Sequence, residues 1–494
     1  MSATTKQNYR GVYHFSPEKN WMNDPNGLVY FEGEYHLFFQ HHPDGMTMGE
    51  MHWGHAVSKD LVTWEELPLA LVPDELGMIF SGSAVVDWHN TTGFFGEKPG
   101  LVAIFTHHLN RPEDEHPLQY QSIAYSKDNG RTWTKYAGNP VLTHDTFIDF
   151  RDPKVFWDRE RSRWVMIVAC GQTVCLYHSP DLIHWTFASE FGTGTGSHDG
   201  VWECPDLFPL AVDGDKEKIR WVMLVSIGAD PAYEEGSRTQ YFTGGFDGEV
   251  FTPDEASHSI RWVDYGRDNY AGVSWSDLPE EDGRRLFIGW MSNWMYAPQT
   301  PSAGFRGAMT IPRELTLETR NGEAALIQRP AQELEAVRIP VLSLTNASAQ
   351  EINAACAGIQ LEAYVIEAEL APGMTAGFRM KAGAAEQTLA GINGQTQELY
   401  VDRRVSGKSS FHPLFAGMHS ARLAAPAAAC DLHIYVDRSS VEVFAGGGQA
   451  VITDLIFPEH GSTGLAAFAE QEEKRFLSVR IYELSPAAPA GGSR

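Results

Sequence analysis

Three acidic residues far apart in the chain stand in matching surroundings. Asp24 lies in Trp21-Met-Asn-Asp-Pro-Asn-Gly27, Asp152 in Phe150-Arg-Asp-Pro153, and Glu203 in Trp202-Glu-Cys-Pro205. Each sits one or two residues before a proline, and an apolar run follows. Proline restricts its own backbone and that of its predecessor to extended or turn geometry, so stiff peptide holds these carboxyls at the mouths of strands. A carboxylate nucleophile and a protonated carboxyl about 5 Å away are the parts that retaining cleavage of a sugar linkage needs. A third negative group favours the positive charge that builds on the ring. Crowding makes full ionisation costly and pushes one pKa upward. Glu203, between Val201-Trp202 and Cys204-Pro205, has the most apolar neighbours and is the expected acid/base. Asp24, flanked by amides and an indole, is the expected nucleophile. A lone Asp-Pro would more often be a turn residue that starts a strand.

Convergence of residues so distant requires a repeating scaffold. Strand-like runs bounded by Gly, Pro, Asn and Asp fill residues 10–320, without a long amphipathic helix. One motif recurs there: His55-Ala-Val-Ser-Lys-Asp-Leu-Val-Thr-Trp64, Ile123-Ala-Tyr-Ser-Lys-Asp-Asn-Gly-Arg-Thr-Trp133 and Leu176-Tyr-His-Ser-Pro-Asp-Leu-Ile-His-Trp185, with a fainter copy at Phe242–Phe251. An all-strand repeat of this kind predicts a β-propeller. Starts at residues 24, 81, 152, 203 and 268 predict five blades, whose innermost strands would bring the acids into one funnel. After Arg313 the texture changes to Ala-rich sequence with modest strands. The expected all-β organisation is a five-bladed propeller over 10–325, a linker over 326–339 with a short helix near 330–338, a β-sandwich over 340–485 and a disordered tail over 486–494.

Composition narrows the partners. The 494 residues carry a formal charge of −26, which opposes binding to nucleic acid or an anionic membrane. No apolar run approaches the length of a membrane span. The first ten residues are polar and lack a signal-peptide core, so the expectation is a cytoplasmic protein, or a secreted one whose leader has been removed. Five cysteines, odd in number and without a Cys-x-x-Cys pair, fit a reducing compartment. His52-Trp-Gly-His55 lacks the acidic residue and helical spacing of a zinc motif, and no metal or cofactor is expected. Gly192-x-Gly-x-Gly196 has neither the strand-to-helix context nor the Lys-Ser/Thr of a phosphate loop. No Gly-x-Ser-x-Gly elbow marks a serine hydrolase.

The acidic motifs, with Phe80-Ser-Gly-Ser83, Gly289-Trp-Met-Ser-Asn-Trp294 and Asp437-Arg-Ser-Ser-Val-Glu-Val-Phe444, resemble family 32 of the glycoside hydrolases: invertases, inulinases and levanases. His52–Leu61 and Asp264-Tyr-Gly-Arg-Asp268 resemble its bacterial exo-levanase branch. The resemblance implies a fructoside substrate, attack by Asp24 on the anomeric carbon, proton transfer by Glu203 and transition-state stabilisation by Asp152. It further implies that Asn23, Gln40, Trp53, Phe80, Ser81, Arg151 and Trp294 shape the fructose pocket, with Trp21 stacking at its edge. From the residues alone, Gln40 reads as a strand-end amide and Trp53 and Trp294 as core. Met295 stands where that branch is expected to have Gln. The expected activity is exo-acting β-fructofuranosidase hydrolysis of sucrose, fructo-oligosaccharides, inulin or levan. Fructosyl transfer and sucrose-6-phosphate hydrolysis are alternatives on the same scaffold.

Overall fold

The computed structural model describes residues 9–111, 116–423 and 429–485; the tail over 486–494 lies outside them. The fold is all-β, with one short α-helix, Ala349–Cys356, among the described residues. Its start is a capping box: the Ser348 side chain accepts from Glu351 N–H while Glu351 reaches back to Ser348 N–H.

Antiparallel meanders follow one another through the first two thirds of the chain. Their innermost strands are Asn20–Phe31, Met78–Val86, Phe150–Asp158, Trp202–Val212 and Tyr270–Ser274. The fourth and fifth meanders join in strand pairing at Val212 and Leu317. Phe305 and Arg306 pair in parallel with Asn20 and Trp21 and close the ring. Large apolar side chains fill the seams; Trp53, Trp202, Trp275 and Trp290 are fully buried.

The recurring sequence motif is a turn with its own chemistry. Asp60 Oδ1 accepts from Ser58 Oγ–H and from the N–H groups of Val62 and Thr63, while Trp64 Nε1–H donates to Leu61 O. Asp181 repeats this with Ser179, Ile183, His184 and Trp185. Asp128 does so with Ser126, Thr132 and Trp133. The motif ends one strand and pins an indole under the turn, so its recurrence marks the outer edges of successive meanders.

The inner strands share a second device. Each is interrupted by one extra residue: between Met22 and Pro25, Ile79 and Gly82, Arg151 and Lys154, Glu203 and Asp206, and Tyr270 and Val273. Such a bulge bends the strand and re-aims its side chains. Asp152, Cys204 and Ala271 take positive φ there.

Two sheets form the remainder. One runs Arg338–Ala347, Phe476–Leu484, Tyr364–Leu370, Cys430–Val436, Ser440–Ala445, Ala450–Leu455; the other runs Met418–Arg422, Glu398–Asp402, Thr388–Asn393, Ala376–Ala382, Gly464–Ala469. Ile366, Ile434, Val443, Phe378, Leu399 and Val401 meet in the core between them. Residues 326–339, expected to link the two parts, hold the end of strand Glu323–Pro330 and a 3-10 helix, Gln332–Val337.

Buried charges join the two parts. His14 lies 2.7 Å from both Asp437 and Glu442. Arg313 bonds Glu442 at 2.6 Å and Asp264 at 3.1 Å, and Arg403 bonds Asp268 at 2.5 Å. Cys204, Cys356 and Cys430 are free, while the sulfurs of Cys170 and Cys175 face each other. Their strands, Arg163–Cys170 and Val174–Ser179, form a tight hairpin, and that geometry, not a Cys-x-x-Cys spacing, brings the sulfurs together. No helix among the described residues is long and apolar enough to cross a membrane.

Candidate active site

The bulges collect the acidic residues at one end of the ring. In pairing register the acids are not equivalent; they occupy three successive places of the same repeated bulge. Glu203 is its first residue, Asp152 its second and Asp24 its third. Their carboxyls therefore stand at staggered depths around one axis.

Cys204 ties the deeper two together. Its Sγ lies 3.5 Å from Oδ2 of both Asp24 and Asp152, and its N–H donates to Asp152 Oδ2 at 3.0 Å. Burial, with the charges of Asp152 and Asp24, pushes the Cys204 thiol far upward, so it stays an S–H donor. Asp24 also accepts from Ser81 Oγ–H at 2.7 Å and from Asn23 Nδ2–H at 3.1 Å. Glu203, the most accessible of the three, accepts from Arg151 Nη2–H at 2.8 Å and from the Tyr270 hydroxyl.

Burial raises Asp24, with the Glu203 charge adding and the bonds from Ser81 and Asn23 opposing. Burial also raises Asp152, Glu203 and Asp24 add to it, and Arg151 opposes; the result is about 7. Burial disfavours the charge on Arg151, but Glu203, Asp152 and Asp149 outweigh it and keep the guanidinium charged. The apolar neighbours that singled out Glu203 in the sequence do not surround its carboxyl. The chain turns Val201 and Trp202 away and gives Glu203 a cation and a phenol, while the enclosed carboxyls are Asp24 and Asp152.

The other expected pocket residues gather around these acids. Trp21 is fully enclosed; its Nε1–H donates to Asn23 Oδ1 at 2.8 Å, and its ring centroid lies 5.7 Å from that of Trp294. It meets the pocket through Asn23, whereas the partly exposed ring is Trp294. Gln40 Nε2–H donates to Asn26 Oδ1 at 2.8 Å, and Gln40 pairs with Trp53 across the sheet. Trp53 Nε1–H donates to Phe80 O at 3.0 Å. Phe80 stacks on His108 at 4.2 Å, and Ser81 carries the bond to Asp24. Arg151 bonds Glu203, Asp149 and Gln119.

Sequence reasoning passed over Tyr270 and the linking position of Cys204. Tyr270 opens the fifth bulge at the place that Glu203 and Arg151 take in theirs. The run Asp268-Asn-Tyr-Ala-Gly-Val was visible as a strand start, but it lacks the acid-proline signature that marked the others. Without the pairing register nothing aligned its tyrosine with them.

Comparison with known proteins follows the same division of the chain. The family model described as Glycosyl hydrolases family 32 N-terminal domain matches residues 14–330, and the one described as Glycosyl hydrolases family 32 C terminal matches residues 333–483. A levanase of Bacillus subtilis (strain 168) is 50% identical over 490 residues, covering 98% of this chain and 71% of its own. A levanase of Bacillus sp. (strain L7) is 40% identical, but the chain spans only 52% of its length. The extracellular exo-inulinase of Aspergillus niger is 40% identical over 92% of this chain and 90% of its own. Among solved structures, the exo-inulinase from Aspergillus awamori superposes with a TM-score of 0.87 at 36% identity, covering 97% of this chain and 98% of its own. The β-fructofuranosidase from Schwanniomyces occidentalis complexed with fructosyl-erythritol gives 0.85 at 30% identity, with 98% and 99% coverage.

Proposed function

The chain belongs to family 32 of the glycosyl hydrolases, and from that premise we propose how its residues divide the work. It is a β-fructofuranosidase, a glycoside hydrolase of fructan and sucrose, built as an N-terminal propeller and a C-terminal β-sandwich. We read the inner strands as five blades spanning 10–325, followed by a linker over 326–339 and the sandwich over 340–485. The reading of the site rests above all on Asp24 and Asp152 converging on one thiol while Glu203 stands beside them.

Asp24 attacks the anomeric carbon of a terminal fructofuranosyl unit and forms a covalent fructosyl-enzyme. Hydrogen bonds from Ser81 and Asn23 favour its ionised form against its burial. Glu203, at the accessible end of the stagger, gives its proton to the leaving oxygen and then takes one from water. Asp152, enclosed beside Asp24, accepts from ring hydroxyls, with Arg151 balancing the local negative charge. Asn23, Gln40, Trp53, Phe80, Ser81 and Arg151 line the fructose position, and Trp294 offers an aromatic face to the sugar. A funnel that admits one chain end suits exo action.

A general acid matters in proportion to how badly the leaving group needs a proton. Glu203→Ala is expected to lose on the order of 10²–10⁴-fold in its first step on sucrose. On a nitrophenyl fructoside that step recovers, the fructosyl-enzyme accumulates as a burst, and added azide relieves the block with retained configuration. Asp24→Ala shows no burst. Equal impairment of Glu203→Ala on both substrates, with no response to azide, would remove the assignment.

A further inference from the structure

The inner strands carry a second set of charged residues beneath the catalytic one. Lys154 is the first paired residue past the bulge that holds Asp152. Lys154 Nζ donates to Ser274 O and lies 3.7 Å from Asp206 Oδ2. Asp206 is itself saturated: Oδ2 accepts from Ser274 N–H and Oγ–H at 2.7 Å each, and Oδ1 from Leu207 N–H at 2.8 Å. This layer is part of the wall of a cavity of about 520 Å³, lined by residues from the ends of these strands that lie away from the catalytic carboxyls.

Three observations describe what the cavity can hold. Its volume falls within the range of about 300–1,000 Å³ usual for small-molecule sites. Acidic and basic side chains line it in equal number, so it offers no net charge to an ion. Arg285 reaches it with donors to spare: its hydrogen bonds, to Ser274 Oγ and Trp275 O, both use Nη1, and no ion pair engages it among the described residues. Its guanidinium lies over the Phe208 ring at 4.9 Å. Partly exposed aromatic rings complete the wall: Trp157, and Phe156 with Trp221, whose centroids are 5.5 Å apart. Aromatic faces for C–H groups and a guanidinium for hydroxyl oxygens are the chemistry that holds a neutral sugar.

We propose that this cavity is a second carbohydrate site, which takes a short fructosyl segment of the polymeric substrate on the propeller face opposite the catalytic funnel. The proposal rests on the fructoside reading of the enzyme. A polymer held there keeps its chain ends at raised local concentration, an advantage that sucrose does not share.

The test titrates 1-kestose calorimetrically into the Asp24→Asn enzyme, which binds without turning over. Two sites per chain are expected. Adding Arg285→Gln or, on the rim, Trp157→Ala weakens one of them at least tenfold and leaves the other unchanged. In the otherwise unsubstituted enzyme, the same changes raise KM for levan several-fold and leave kcat and KM for sucrose as they were. Should either variant fail to fold, the crystal structure of Asp24→Asn soaked with 1-kestose decides: sugar against Arg285 supports the site, and sugar in the funnel alone overturns it. A single calorimetric site, with normal sucrose turnover in the parent enzyme, also overturns it, as does displacement of the second 1-kestose by inorganic phosphate. No binding at all, together with no fructose released from sucrose by the parent enzyme, removes the fructoside reading itself.

Discussion

At the scale of single residues, the site holds its acids at a cost in stability. Asp152 ionises near 3.8 when exposed and near 7 in the fold. Between those values the unfolded chain has lost a proton that the folded one keeps. Stability therefore falls as pH rises through this window, and the full cost is present above about pH 7. Asp152→Asn keeps the shape and removes the charge. Its unfolding temperature is expected to exceed that of the parent by a few degrees at pH 8, with the gap closing towards pH 4, while turnover of sucrose drops. Thermal unfolding followed across that range checks both the sign and the window. An unfolding temperature lower at pH 8 than at pH 4, relative to the parent, would show that Arg151 loses more from the missing partner than the site gains.

Among elements, the bulged inner strand is the unit that positions chemistry, and it leaves little slack. A Cβ on Gly82 would stand 2.1 Å from Ile104 O and 2.7 Å from Phe105 Cα, both backbone atoms of the neighbouring strand. Gly82→Ala must push that strand away and move Ser81, which donates to Asp24. Overpacking of this kind costs about 1–3 kcal/mol, so a lower denaturation midpoint and a matching loss of kcat are expected; unchanged kcat would mean that Ser81 does not depend on the bulge. The same element explains what the sequence could tell. The Ser-x-Asp turns with their indoles were legible because each is closed by hydrogen bonds within seven residues of chain. The acid-proline motifs were legible for the same local reason. The one-residue stagger of Glu203, Asp152 and Asp24 was not, because it is fixed by the strand alongside, and Tyr270 was hidden with it. In the sandwich, Gly464–Ala469 is rich in small residues and carries little strand signal. Helix Ala349–Cys356 did announce itself through Ser348-Ala-Gln-Glu351, a capping box that an Ala-rich setting made easy to overlook.

Across the whole molecule, propeller and sandwich share buried ions beside apolar clusters such as Tyr13, Ile311, Phe444 and Val451. Burial opposes the charge on His14, but the hydrogen bonds and charges of Asp437 and Glu442 outweigh it and raise the imidazole to about 9. The unfolded value is near 6.5, so this contribution is fully present below about pH 6.5 and is lost as pH rises through about 9. The parent enzyme's unfolding temperature is expected to fall more steeply over that interval than that of His14→Gln. The variant starts lower, because removing one partner of a buried set costs about 3–5 kcal/mol. Parallel pH profiles for the two proteins would mean that His14 is neutral in the fold.

Ring closure also sets an order in time. The strand that carries Asp24 gains its second neighbour only when Phe305 and Arg306 pair with Asn20 and Trp21. A ribosome making about 5–20 residues per second needs on the order of 15–60 s between Asn20 and Phe305. Throughout that interval the nascent nucleophile strand presents an unpaired edge to the crowded medium. Chains stalled before Phe305 are thus the ones that chaperones should be found holding, and release from them should coincide with the first appearance of sucrose-splitting activity.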